Sequence, residues 1–449
     1  MGVMDEYKKK LVSADQAVKV VKSGDWVDYG SFLGQVRDLD KALAKRKDEL
    51  KDVKIWTCVN PYGAEVNNVD PTGEHFVWNS WHFSGGDRKV VKAGKPVYYS
   101  SIKYSELPRY VRERIDPIDV AMLQVTPMDK FGYFNFGPQC SHTRAVCDRA
   151  KVIIVEVNEK QPRCLGGYEE AIHVSEVDYI VEGSNLPLTQ LPAPPLSEID
   201  KKVAGFIMEE IHDGSVIQLG IGGMPNAVGM AIADSDLKDL GCHTEMLVDA
   251  YVYMVNSGRM TGKRKKFDPG KLTYTFALGT NILYDFIDDN PQCAIYPVNY
   301  TNKPEIAMLH DNLVTINNGV EVDIYGQVCS ESSGTRHISG TGGQLDFVLA
   351  GWDSKGGKSF VCLPSSNTGK DGQIISRIVP TLAKGGIVTD PRSVADCIVT
   401  EYGKYDMKGR TVWQRAEGLI NIAHPAARDD LVKAAEAQGI WKKSNKVNK

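Results

Sequence analysis

Two stretches far apart in this chain follow one plan, and that repetition limits the folds open to it more than any other feature. Gly24-Asp-Trp-Val-Asp-Tyr-Gly30 is preceded by a helix with a capping-box start, Ser13-Ala-Asp-Gln16, and followed by a helix-like stretch from Leu39 to Leu50. Gly214-Ser-Val-Ile-Gln-Leu-Gly220 is preceded by a second capped helix, Ser197-Glu-Ile-Asp200, with Ile199, Val203, Phe206, Ile207 and Ile211 at helical spacing, and is again followed by a helix. A strand that stops at glycine and turns into a helix is the unit of a parallel sheet, because parallel neighbours need a crossover connection. The nearly continuous apolar runs Val120–Val125 and Lys151–Val157 suit strands covered on both faces. The reading is an α/β protein of two related domains with mainly parallel sheets, residues 1–190 and 197–449, divided at the proline-rich stretch Leu186–Pro195. Later strands are expected at Ser359–Leu363 and Gly386–Thr389 and helices at Trp413–Ala423 and Asp429–Gln438, with Lys442–Lys449 as a solvated basic tail.

A chain of 449 residues has room for two cores, each large enough to hold a buried site. Apolar residues make up 42% and charged residues 24%, an ordinary globular balance that excludes disorder and a disulfide scaffold. The net charge of -4 offers no basic footprint, so neither nucleic acid nor an anionic membrane is expected as a partner. The nine cysteines are scattered, odd in number and without C-x-x-C or zinc-ligand spacing, which fits reduced thiols and no metal. Met1–Tyr7 has no apolar signal core and no apolar run is long enough to span a bilayer, so a cytoplasmic location is expected.

The sharpest local feature is Gly220-Ile221-Gly222-Gly223-Met224-Pro225, a strand running into a glycine turn and a helix opened near Pro225. Such a turn presents backbone N–H groups, lets a ligand approach the main chain and favours negative charge at the helix N-terminus. A dinucleotide fingerprint is disfavoured, since Pro225 stands where the third glycine belongs; in the second glycine loop, Ser339-Gly-Thr-Gly-Gly-Gln344, Leu345 stands there instead. Neither loop continues into Gly-Lys-Ser/Thr, so neither is a Walker loop. Glu245, in His243-Thr-Glu-Met-Leu247, follows far enough after Gly220 for a helix and a return to the neighbouring parallel strand, whose end would share a crevice with the loop. Spacing alone leaves a structural turn and a surface carboxylate open as readings. No G-x-S-x-G elbow or H-E-x-x-H pair is present, and the adjacent Cys242 and His243 would point to opposite faces of a strand. The patch His75, Trp78, Trp81 and His82 is read as packing before it is read as an acyl pocket wall.

Gly220–Val228, His243–Leu247, Asp323-Ile-Tyr-Gly-Gln-Val328 and Ser339–Phe347, in this order, resemble the acetyl-CoA hydrolase/transferase family. The resemblance is to its butyryl-CoA:acetate and 4-hydroxybutyrate CoA-transferase branches, the former more closely. Tyr104-Ser-Glu-Leu-Pro-Arg-Tyr110, Gly132-Tyr-Phe-Asn-Phe-Gly137 and Asn421-Ile-Ala-His-Pro425 extend it over nearly the whole chain. The resemblance implies that Glu245 is a nucleophile that becomes a glutamyl-CoA thioester. It implies CoA contacts from Gly220, Ile221, Gly222, Gly223, Met224, Val320 and Gly343. It also implies acyl-CoA and a short-chain carboxylate as substrates, no permanently bound cofactor, and a homo-oligomer. An acyl-CoA hydrolase using the same glutamate is the nearest alternative, and a nucleotide-dependent oxidoreductase the alternative from another class. Gly30-Ser-Phe-Leu-Gly-Gln-Val-Arg37 departs from the pattern of either branch, which leaves the acyl chain open beyond its being short.

Overall fold

The computed structural model describes residues 2–113 and 117–441, so the basic tail 442–449 lies outside the described residues. The chain forms two compact units. The first comprises residues 1–192, 245–249 and 271–301, and the second 193–244, 250–270 and 302–449.

In the first unit the strands β1 (Trp26–Ser31), β2 (Val53–Cys58), β3 (Phe76–Ser80), β4 (Tyr98–Tyr99), β5 (Ile118–Val125), β6 (Ala150–Val157) and β7 (Tyr179–Glu182) form one sheet in the order β4-β3-β2-β1-β5-β6-β7. Every pairing in it is parallel, with Val27 opposite Ile55 on one side and Val120 on the other. A wholly parallel sheet must be covered on both faces, which explains the unbroken burial of β5 from Val120 to Val125. One core joins Val27, Tyr29, Ile55, Trp78, Val120, Met122 and Ile154 with the helix residues Leu39 and Leu43. Trp78 is fully buried and donates its indole N–H to Asp87 at 2.8 Å, so this member of the aromatic patch belongs to the packing.

In the second unit β8 (Val216–Leu219), β9 (Gly241–His243), β10 (Leu313–Asn318), β11 (Lys358–Cys362), β12 (Cys397–Thr400) and β13 (Gly403–Asp406) lie in the order β9-β8-β10-β11-β12-β13. All neighbours are parallel except the final hairpin. In both units the opening strand lies inside the sheet, the next strand flanks it on one side and later strands on the other. The repeat read from sequence is therefore a repeat of topology. Both capping boxes form: Gln16 N–H donates to Ser13 Oγ, and Asp200 N–H donates to Ser197 Oγ at 3.1 Å.

Several expectations need correction. The first capped helix is short, Ala14–Ala17 followed by the 3-10 turn Val18–Val20. Gly386–Thr389 is no strand: Ile387 and Val388 are about two-fifths exposed, at 38% and 40%, and the sheet position is taken by Cys397–Thr400. The proposed division into 1–190 and 197–449 follows the chain, whereas packing returns 245–249 and 271–301 to the first unit. Isolated bridges Gln139–Phe276, Ser141–Pro297, Cys164–Asp288 and Gly166–Ile295 fasten that later segment there. Residues 183–197 carry no regular structure and are pinned to the first unit where Asn158 Nδ2 donates to the Leu186 carbonyl at 3.0 Å and Tyr284 to that of Thr189 at 2.7 Å. Among the described residues no helix is long and apolar enough to cross a membrane.

Candidate active site

In the second unit β8 pairs with β9 in parallel, Val216 opposite Gly241 and Ile217 opposite Cys242, as the strand-helix-strand argument requires. The turn after β8 is held at its base: Gly220 N–H donates to the Ile316 carbonyl at 2.8 Å, and Leu219 N–H to the Tyr251 hydroxyl at 2.9 Å. Gly222 has φ +128°, a left-handed conformation that side chains rarely adopt, and it caps the helix Gly223–Ala233. The first N–H groups of that helix have no partners within it. Asn318 Nδ2 donates to the Ile221 carbonyl at 2.7 Å, and a Cβ on Gly222 would collide with the same amide nitrogen. Gly220–Met224 and the end of β10, which leads to Val320, are thus brought together. Gly343 lies in this unit too, as the N-cap of the helix Gln344–Asp353. The Thr244 hydroxyl, next to Glu245 in sequence, donates to the Leu219 carbonyl at 3.5 Å.

Glu245 itself packs with the first unit. It precedes the two-residue strand Met246–Leu247, which pairs in parallel with Phe276–Ala277, and its carbonyl accepts from the N–H groups of Thr275 at 3.0 Å and Phe276 at 3.2 Å. The glutamate's backbone is therefore fixed on a short sheet, and the residue is half-buried. Thr275 also accepts, at its side-chain oxygen, from Ser141 N–H at 3.1 Å. Ser141 begins a buried polar chain: its hydroxyl lies 2.5 Å from the Tyr104 hydroxyl and 2.9 Å from His142 Nδ1.

Burial sets the electrostatics here. The Cys58 thiol is pushed well up, first by burial and then by the charge of Glu245, so it stays protonated. Tyr104 is raised by burial, then by Cys58 and Glu245, and stays a phenol. His142 is pushed down to about 4 by burial and is neutral near pH 7. The charge of Glu245 is thus felt by a thiol and a phenol that both stay neutral, Cys58 and Tyr104. The non-glycine residues of this unit with left-handed backbone include Phe32 at φ +51°, Val59 at +49° and Ser141 at +46°. Such conformations persist only where surrounding contacts impose them. Phe32 is locked by stacking on Phe276, with centroids 3.7 Å apart and planes at 15°.

Sequence reasoning missed Tyr104, Ser141, His142 and Thr275. Tyr104 stands at the head of Tyr104–Tyr110, a stretch that carries the family resemblance, but its link to Ser141 spans 37 positions and has no local pattern. Asn318 has no local pattern either, since its bond to Ile221 spans 97 positions.

Models of the N-terminal and C-terminal domains of acetyl-CoA hydrolase/transferase match residues 1–192 and 279–435. The chain is 55% identical to a butyryl-CoA:acetate CoA-transferase of Anaerostipes caccae, covering 99% of this chain and 100% of that one. It is 41% identical to the 4-hydroxybutyrate coenzyme A transferase of Clostridium kluyveri, covering 95% and 97%. Among solved structures, RipA from Yersinia pestis superposes with a TM-score of 0.90 at 32% identity, covering 98% of this chain and all of that one.

Proposed function

Because this chain belongs to the acetyl-CoA hydrolase/transferase family, we propose that it transfers CoA from butyryl-CoA, or a similar short-chain acyl-CoA, to acetate, with Glu245 as the covalent carrier. The observation that carries this reading is the 55% identity, end to end, to a butyryl-CoA:acetate CoA-transferase. The carboxylate of Glu245 attacks the thioester carbonyl, forming an acyl-glutamyl anhydride and expelling CoA as a thiolate. The thiolate attacks the glutamyl carbonyl, releasing the acid and leaving a glutamyl-CoA thioester. Acetate runs the same two steps in reverse and departs as acetyl-CoA, leaving Glu245 as it began. The energy of the thioester is kept throughout, so no nucleotide triphosphate enters.

A carboxylate is a weak nucleophile, so position must replace basicity. Thr275 and Phe276 fix the backbone of Glu245. The protonated Cys58 removes a competing nucleophile. Donors are needed for the tetrahedral oxyanions and for the CoA moiety, and the N–H groups of Gly222, Gly223 and Met224 suit both roles. Binding energy from the long CoA tail, remote from the reacting carbon, can be used to hold the thioester at Glu245. Val320 and Gly343 complete the CoA site in this reading, and a homo-oligomer in the cytoplasm is part of it.

Intact-mass analysis after exposure to butyryl-CoA without acceptor should show a CoA adduct that maps to Glu245 and is absent from Glu245→Ala. Acetyl-CoA formation is then measured against free CoA release, with and without acetate. Release of CoA at a rate indifferent to acetate would replace the transferase reading with a hydrolase.

A further inference from the structure

Gly343 and Val320 are far from Gly220–Met224 in sequence, yet a single line of hydrogen bonds within the second unit ties the three places together. Gln344, the first residue of its helix, uses both amide hydrogens: Nε2 donates to Ser330 Oγ at 2.8 Å and to Asp390 Oδ2 at 2.6 Å. Ser330 Oγ, having accepted there, donates its own proton to the Asn318 carbonyl at 3.2 Å. Asn318 Nδ2 then donates to the Ile221 carbonyl at 2.7 Å. The direction of every link is fixed, because an amide nitrogen can only donate and a hydroxyl has one proton to give. Ser330 cannot slide along this line. Its N–H donates to Thr389 Oγ1 at 3.0 Å, its carbonyl accepts from Ser339 Oγ at 3.1 Å, and the residue before it, Cys329, accepts from Val320 N–H at 2.8 Å.

We infer that Gln344 and Ser330 are positioning residues for CoA: through Asn318 they hold the Ile221 carbonyl, and so set the glycine loop in register with the segments of Val320 and Gly343. The inference rests on the CoA-transferase reading given above and adds to it the residues that organise the site.

Two observations separate this role from ordinary packing. The line ends on the carbonyl of a residue that is half exposed, Ile221 at 50%, and not on a core strand. Holding that carbonyl toward Asn318 fixes the orientation of the peptide between Ile221 and Gly222. A flipped peptide would point an oxygen where the loop should offer an N–H, and would repel an anionic ligand. At the other end, Asp390 is fully buried and its Oδ1 has no hydrogen-bond partner, an arrangement that costs stability. Burial pushes this carboxyl up to about 7, and the charge of Glu331 adds to the rise.

The test uses the full-length enzyme and reads KM for butyryl-CoA, KM for acetate, kcat, and binding of free CoA by calorimetry. Gln344→Ala and Ser330→Ala should each raise KM for butyryl-CoA and Kd for CoA about tenfold, the effect of one to two lost hydrogen bonds. KM for acetate and kcat should stay close to wild type in both; the melting temperature should hold in Ser330→Ala and fall in Gln344→Ala, which strips the buried Asp390 Oδ2 of its donor. Ser330→Thr, which keeps the hydroxyl, should restore CoA affinity. Gln344→Glu, nearly the same shape but without the two donated hydrogens, should not. Should Gln344→Ala fail to fold, the Ser330 pair decides alone. Wild-type CoA affinity in Ser330→Ala, or an equal fall in kcat at both substrates with a lowered melting temperature, would overturn the inference. A wild-type enzyme that bound no CoA and formed no adduct at Glu245 would overturn the CoA-transferase reading itself, so the two failures are distinguishable.

Discussion

The turn after β1 and the turn after β8 begin alike and end differently. In the first, Asp28 curls back and accepts the N–H of Gly30 at 2.8 Å, and the chain continues through the buried residues Phe32, Leu33 and Gly34 before a helix starts at Asp38. In the second, Gln218 occupies the matching position and reaches sideways, accepting from Ile316 N–H at 3.1 Å and donating to Asn317 Oδ1 at 3.1 Å. Here the helix opens at Gly223, straight after the turn. A short acid closes its own turn and lets it be packed away; a longer amide braces the neighbouring strand and leaves the turn open. The same strand-turn-helix plan thus supplies core in one unit and a loop with available N–H groups in the other.

Substitutions can break this contrast. The largest effect belongs to the carboxylate that carries the proposed mechanism. Glu245→Ala should lower transferase turnover by at least about 10⁴-fold with an unchanged melting temperature. Next come the paired glycines. Gly222→Ala places a Cβ against Asn318 Nδ2 at φ +128° and should raise KM for butyryl-CoA about 30-fold, with only a modest loss of stability. Gly30→Ala, at φ +70° with the Cβ 2.7 Å from the Gly34 carbonyl, should do the reverse, costing about 2–3 kcal/mol in chemical denaturation while leaving that KM alone. Equal effects on KM from the two would erase the distinction drawn between the turns.

The acid in the first turn gives a pH signature. Burial raises Asp28 to about 7 in the fold, above its ordinary value of 3.8, so the folded state holds the proton more tightly than the unfolded chain. Stability should therefore fall as pH rises between about 4 and about 7 and level off above. Between pH 5 and 8 the wild type should lose on the order of 2 kcal/mol through this group, and Asp28→Asn should show a correspondingly smaller decline in urea titrations. The smallest effect is at the caps: Ser197→Ala, which opens an 11-residue helix, should cost about 1 kcal/mol, and Ser13→Ala, which opens a four-residue one, less.

The repeat was legible because it is local: capping residues, a short strand (Trp26–Ser31 or Val216–Leu219) and a glycine lie close together. Other features had no such signature. Gly386-Ile-Val-Thr389 and Cys397-Ile-Val-Thr400 differ by one letter, yet only the second pairs with β11, Ile398 opposite Val361, while the first leaves Ile387 and Val388 at the surface. Propensity cannot separate them; the partner strand does. Glu245 could be found by motif, but not its packing with the first unit, which depends on Thr275 and Phe276 about 30 positions later. Ser330 and Asn318 carry no motif of their own, since each matters only through what it bridges.

The chain crosses from the second unit to the first at the peptide bond between Thr244 and Glu245, crosses back after Asp249, and crosses twice more around 271–301. These halves are therefore not cassettes. Cutting in the unstructured stretch 183–197 would yield an upstream fragment stripped of its bridges to Phe276, Pro297, Asp288 and Ile295, and a downstream fragment carrying their orphaned partners. Neither piece could be traded for the equivalent part of a distant relative without importing its mate. An exchange between relatives that kept the fold would have to carry 1–192, 245–249 and 271–301 together.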